Sequence, residues 1–251
     1  MSEGVKIDFL GIRVNLITKD ELAKNILELA LSGKRKVITY LNAHCVNVAV
    51  ADAEYGRMLN LSDIVYPDGM GVVWASLLLG KPLLERANVF DFSNKLFVKI
   101  AETKVKLYFL GGKEAVVRRA VENLKNEFPP INVLGFHNGY FTDAQSKEII
   151  REINALKPNV LIVGMGIPKQ EKWVFKHLDE LEVNLCWLVG GMFDNLSGAI
   201  NIAPRWVGYV GFEWLYRLFQ DPWRMCGRYL IGNPFFIYRV LQCKIRNLFF
   251  W

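Results

Sequence analysis

The first 195 residues alternate two hydrophobic patterns. Continuous apolar runs end in Gly, Pro or Asn: "KVITYLNA", "DIVYP", "KLYFLGG", "INVLGFHNGY", "NVLIVGMG" and "NLCWLVGG". Each reads as a strand buried on both faces. Between them lie segments with apolar residues at helical spacing. "AVADAEYGRMLNL" reads as one helix, "GVVWASLLLG" as a helix closed by Gly80, and "NKLFVKIAET" as a third. "EAVVRRAVENLKNEF" stops at Pro129 and Pro130, "DAQSKEIIREINAL" has Asp143 as its N-cap, and "KQEKWVFKHLDEL" follows a glycine turn. This alternation predicts an α/β fold with a mostly parallel, Rossmann-like sheet and helices on both faces.

After about Ser197 the pattern changes. Prolines and glycines interrupt it, strands disappear, and "GFEWLYRLFQ" and "PFFIYRVLQCKIRNLFF" read as helices. The expected organisation is a catalytic α/β domain over 1–195 and a helical appendage over 196–251.

Composition supports a folded chain: 251 residues, 52% apolar and 22% charged, with no low-complexity tract. "MSEGVKIDFL" lacks a basic segment leading into a long apolar one, so no signal peptide is expected, and no uncharged apolar run is long enough for a membrane span. Cys45, Cys186, Cys226 and Cys243 form no CxxC pair, as expected for a reduced cytoplasmic chain.

Charge is concentrated at one end. The 48 residues from Pro204 hold seven Arg or Lys and two acids, which is +5 of the net +6, and 14 of the 32 aromatics. Basic and aromatic residues together suit an anionic, partly apolar partner such as a membrane surface or a lipid phosphate. A nucleic-acid binder would also fit the tail, but not the weak charge of the α/β body, so no nucleic acid is expected.

In parallel α/β sheets, ligands bind beyond the carboxyl ends of the strands. Four such ends carry unusual residues: Asn42 in "YLNAHCVN", Asp68 in "YPDGMG", Gly111 and Gly112 in "LGGKE", and Gly166, Lys169 and Gln170 in "GMGIPKQE". Glycine turns that open helices admit phosphate close to backbone N–H groups, and two of them suggest a nucleotide diphosphate. Each is also compatible with an ordinary turn. Asp68 has two compatible readings: a cap for the following helix, or a general base facing the cleft. The P-loop, GxGxxG after the first strand, HExxH and Asp-x-Asp are all absent. His44, His137 and His177 are scattered and read as structural.

These pieces occur together, in order, in one family. "YLNAHCVN", "YPDGMGVVWA", "LGGKE", "GFHNGYF", "GMGIPKQEKW", "VGGMFDNLSG", "APRW" and "EWLYRLFQDPWR" resemble the WecG/TagA/CpsF glycosyltransferases over about residues 8–240. The resemblance implies an inverting, metal-independent transferase without a cofactor, peripheral on the inner face of the bacterial cytoplasmic membrane. The implied donor is a UDP-sugar, of the N-acetylmannosamine type. The implied acceptor is a polyprenyl-diphosphate-linked saccharide used for teichoic acid, common antigen or exopolysaccharide. By position, Asp68 matches the base, Asn42 and Gln170 the sugar pocket, and Arg86 a basic residue beside it. Arg217 and Arg224 match appendage arginines that reach the phosphates.

Three departures matter. Tyr40 stands where the family has threonine, Phe90 where glycine is usual, and Gly227 where a basic residue is usual, with Arg228 adjacent as its substitute. The first two leave UDP-glucose or a UDP-uronic acid open as donors. A nucleotide-sugar oxidoreductase would need a dinucleotide fingerprint, which is absent. A non-enzymatic membrane scaffold would leave the polar strand ends unexplained. Apolar surface on the appendage leaves room for a homo-oligomer.

Overall fold

The computed structural model describes residues 4–201 and 203–249. The chain forms two compact units. One takes the residues up to Lys19, Tyr40–Asn88 and the stretch after 202; the other takes Asp20–Thr39 and Val89–Asn201.

The first unit opens with an antiparallel hairpin, β1 (Lys6–Phe9) and β2 (Ile12–Asn15). It continues with α2 (Ala43–Ala51), α3 (Ala53–Leu61), β4 (Ile64–Pro67) and α4 (Met70–Leu78). It ends with α10 (Arg205–Tyr209), α11 (Glu213–Gln220), α12 (Pro222–Cys226), a π-helical turn (Gly227–Ile231) and α13 (Gly232–Phe249). Helix α13 is fastened within this unit. Asn47 Nδ2 donates to the Gly232 carbonyl at 2.7 Å, Arg239 bonds the Asn47 amide oxygen, and the Phe236 ring lies 6.5 Å from that of Phe9.

The second unit contains α1 (Lys19–Leu31, from its second residue on), β3 (Lys36–Leu41, through Thr39), α5 (Val89–Ala101), β5 (Lys106–Gly111), α6 (Glu114–Glu127) and β6 (Asn132–His137). It closes with α7 (Asp143–Leu156), β7 (Val160–Gly164), α8 (Lys169–His177), β8 (Leu185–Leu188) and α9 (Met192–Leu196). Within this unit the strands lie in the order β3-β8-β7-β5-β6. Pairings β3–β8, β8–β7, β7–β5 and β5–β6 are all parallel.

Strand periodicity explains the two covered faces. Tyr108, Leu110, Leu161, Val163, Cys186 and Leu188 point one way, into a cluster with Ile149, Ile150 and Ile153 of α7 and Trp173 and Val174 of α8. Alternate residues point the other way: Phe109 meets Phe193 of α9 at 5.3 Å, and Trp187 meets Phe92 of α5 at 6.3 Å. The predicted α/β architecture is therefore present, with only helices among the described elements after β8. No helix of the described residues is long and apolar enough to cross a membrane.

Several local expectations change. The hairpin and α1 add to the pattern reading. The single helix expected over "AVADAEYGRMLNL" is two, because the Asp52 side chain accepts from Tyr55 N and starts α3 afresh. Asp143 is not the cap of α7. Thr142 is, in a reciprocal box where Gln145 Oε1 accepts the Thr142 N–H at 2.8 Å.

Candidate active site

Four contributions from the first unit surround a pocket of about 600 Å³. They are the ends of β3 and β4, helix α4 and the C-terminal helices. Pro67 ends β4, yet the ladder runs one step further: Asp68 N donates to the Leu41 carbonyl at 2.9 Å. The Pro67 carbonyl in turn accepts from Ala87 N at 2.7 Å, which seats Arg86 nearby. Gly69, not Asp68, is the N-cap of α4, with no side-chain cap bond. The capping reading of Asp68 is thus set aside, and its carboxylate lines the pocket.

Asn42 orients that carboxylate. It caps α2, with Oδ1 accepting from Cys45 N at 3.1 Å, so its Nδ2 is the end left to donate, at 3.5 Å, to Asp68 Oδ2. Arg86 Nη1 lies 2.8 Å from Glu213 Oε2, and Arg217 Nη2 lies 2.7 Å from Glu213 Oε1. One carboxylate therefore bridges two guanidiniums, and the Arg86 side chain is only 8% exposed. Burial raises the Asp68 pKa above the usual carboxylate range, and the Glu213 charge adds to it. Arg217, Arg86 and the Asn42 hydrogen bond pull the other way without overcoming it. Burial opposes the charge on Arg217, but Glu213, Tyr229 and Asp68 outweigh it and hold the guanidinium protonated.

Arg228 also lines the pocket, from the π-helical turn. Its guanidinium lies 5.3 Å from the centre of the Tyr229 ring, and its Nε is buried without a hydrogen-bond partner among the described residues. Burial, with Arg228 adding, lowers the His44 pKa to about 4, so this pocket imidazole is neutral. Arg224 is not brought to this group. It pairs with Asp221 at 2.9 Å on an exposed surface, and α11 ends before it, so Arg217 and Arg224 do not share a helix.

The other predicted residues belong to the second unit. Gly111 pairs with Gly164 at the ends of β5 and β7, and a Cβ there would strike the Gly164 carbonyl. Its φ of 139° also favours glycine. Gly112 N donates to the Gly164 carbonyl at 3.0 Å, and Gly166 lies in the turn between β7 and α8. Lys169 Nζ donates to the Gly139 carbonyl at 2.7 Å and sits by the Tyr140 and Phe141 rings. Gln170 is fully buried: Nε2 donates to Glu171 Oε1 at 3.0 Å and Oε1 accepts from Gly190 N at 3.1 Å. Glu171 is also fully buried, takes a hydrogen bond from Thr39, and leaves Oε2 unpartnered. Burial pushes its pKa up to about 7.

Sequence reasoning missed Glu213, His44 and Glu171. Glu213 had a readable signal, since it stands four residues before Arg217 on one helix face. Glu171 follows Gln170 directly, but nothing local marks it as buried.

An acid at a strand end beside paired arginines suits an enzyme's site better than a scaffold's surface. Residues 7–248 match the glycosyl transferase WecG/TagA/CpsF family. The chain belongs to that family and is a glycosyltransferase. Among similar proteins are the N-acetylglucosaminyldiphosphoundecaprenol N-acetyl-beta-D-mannosaminyltransferases of Staphylococcus aureus strains MW2 and NCTC 8325 / PS 47. Each is 31% identical over 246 residues, covering 97% of this chain and 95% of the relative.

Proposed function

We propose that the protein transfers an N-acetylmannosamine-type sugar from a UDP-sugar to a sugar carried on polyprenyl diphosphate, with inversion and without a metal, at the membrane's inner face, for teichoic acid or a related surface polymer. The names of the relatives support the sugar and the acceptor. The observation that carries the mechanism is the Asp68 carboxylate, free of any capping bond and standing in a pocket with Arg86, Arg217 and Arg228.

Asp68 takes the proton from the acceptor hydroxyl as its oxygen attacks the anomeric carbon. The bond from that carbon to the UDP phosphate breaks, and UDP leaves with the electron pair. A base of raised pKa binds the acceptor's proton more strongly than an ordinary carboxylate does. Arg217 and Arg228 offset phosphate charge, which is the role a metal would otherwise take.

Asp68→Asn keeps the Asn42 contact available but cannot accept the proton. Transfer from UDP-N-acetylmannosamine to a lipid-linked N-acetylglucosamine is expected to fall by at least about 10²-fold with donor binding retained. Near-native turnover rejects the base role. A panel of UDP-sugars read by mass spectrometry assigns the donor, and full activity in EDTA is the expected result for the metal-free reading.

A further inference from the structure

We propose that the apolar limb of the pocket, between α4 and α13, holds the first isoprenoid units of the acceptor lipid. This rests on the lipid-diphosphate reading above and adds a site to it. The pocket is chemically divided. Its charged side chains are Asp68, Arg86, Glu213, Arg217 and Arg228. Its lining also takes in Trp74 and Leu78 of α4, Leu230 of the π-helical turn, and Ile237, Val240 and Leu241 of α13, with Asn233 at the start of that helix as a polar exception.

Four of those six are aliphatic residues on the two helices and give no hydrogen-bonding group. A hexose or a uracil placed among them would leave its hydroxyls or imide unpaired, which is costly in an apolar site. A hydrocarbon chain has no such groups. The wall also continues to the surface. Trp74, Leu78, Leu230, Ile237 and Leu241 line the pocket and are themselves 45–56% exposed. A pocket for a small soluble ligand is usually apolar within and closed around its ligand. This one has an apolar mouth, which suits a ligand whose tail must leave. The acceptor carries a sugar hydroxyl, then a diphosphate, then a prenyl chain. The pocket holds a counterpart for each: the Asp68 carboxylate, guanidiniums with an unpartnered buried Arg228 Nε, and aliphatic side chains of α4 and α13.

The test needs neither transfer nor a bilayer. Farnesyl diphosphate and methyl diphosphate are titrated into the full-length protein, and binding is followed by tryptophan fluorescence, since Trp74 and Trp214 line the pocket. Farnesyl diphosphate is expected to bind at least tenfold more tightly. Ile237→Asp and Leu241→Asp, at half-exposed positions that tolerate charge, are expected to reduce it to the affinity of methyl diphosphate. Leu77→Asp is the control: Leu77 is equally exposed on α4 but does not line the pocket, and it should retain tight binding. Equal affinities for the two ligands, or equal losses in Leu77→Asp and Ile237→Asp, overturn the proposal; the latter would show general surface hydrophobicity. If farnesyl binding behaves as expected while no UDP-sugar is transferred to any lipid-linked sugar, the proposed donor and acceptor fail and this site stands.

Discussion

Asp68 lies under opposing influences, and in the proposed mechanism their balance sets the acid limb of transfer. Burial and Glu213 raise its pKa, while Arg217, Arg86 and Asn42 lower it. As the proposed base, Asp68 works in its carboxylate form, so transfer is expected to fall as pH drops through the raised value. Glu213→Gln removes one raising charge and frees two guanidiniums whose fields lower the pKa. The acid limb of kcat/KM should therefore move to lower pH, and a limb that moves up refutes this account. Glu171 gives a prediction about stability. Its folded pKa of about 7 exceeds its usual 4.5, so the native state binds the extra proton in that window. Stability conferred by the protonated form is complete below about pH 4.5 and is lost as pH rises through 7, by about 3 kcal/mol at most. Glu171→Gln, which keeps an acceptor for Thr39 and Gln170, should flatten the melting temperature between pH 5 and 8. An unchanged slope would remove Glu171 as its source. At this scale the sequence was half legible. Asp68 showed as an acid at a strand end, but that Gly69 takes the cap position shows only in the structure. The Arg86–Glu213 pair spans 127 positions, and no local pattern can announce it.

Elements formed by long, strongly periodic segments were readable, and short or interrupted ones were not. In α6, Val117, Ala120, Val121 and Leu124 repeat at helical spacing and all are buried. The hairpin offers only four residues a strand, too few for alternation to stand out, around a turn at Leu10 and Gly11. The break between α2 and α3 hangs on one aspartate competing for backbone N–H groups. The glycines show the same limit. Gly111 is required by the neighbouring strand end, which sequence cannot separate from a phosphate cradle. Gly211 has a comparable constraint within the first unit. It has φ of 75°, and a Cβ there would run into the Trp74 ring. Gly211→Ala should cost at least about 2 kcal/mol, from the left-handed backbone and the overpacking together. Gly227→Ala, in open space with ordinary φ, should cost much less. Urea midpoints compare the two, and equal losses would show that Trp74 moves aside freely.

For the molecule as a whole, the basic, aromatic C-terminal segment stood out from composition alone. Its packing did not: Phe236 and Val240 are buried within the first unit, while Trp223 is 96% and Phe219 78% exposed. Truncating the segment would therefore uncover a core as well as remove a surface. Trp223→Ser with Phe219→Ser is the cleaner probe of membrane association. It should reduce co-sedimentation with anionic vesicles several-fold while leaving the melting temperature in place. Unchanged sedimentation would count against a role for these rings. The segment's fastening to the N-terminal half also has a consequence in time. Asn47 meets Gly232, 185 positions later. At about 5–20 residues per second, the ribosome delivers the partner roughly 10–40 s after the first residue emerges. The sequence of the second unit is complete by Asn201. During that interval the nascent chain already carries Asp68, but not Glu213, Arg217 or the α13 wall. A product stalled before α11 thus holds Asp68 and Arg86 but lacks Glu213, Arg217 and Arg228, so the pocket stays open until the last helices are made.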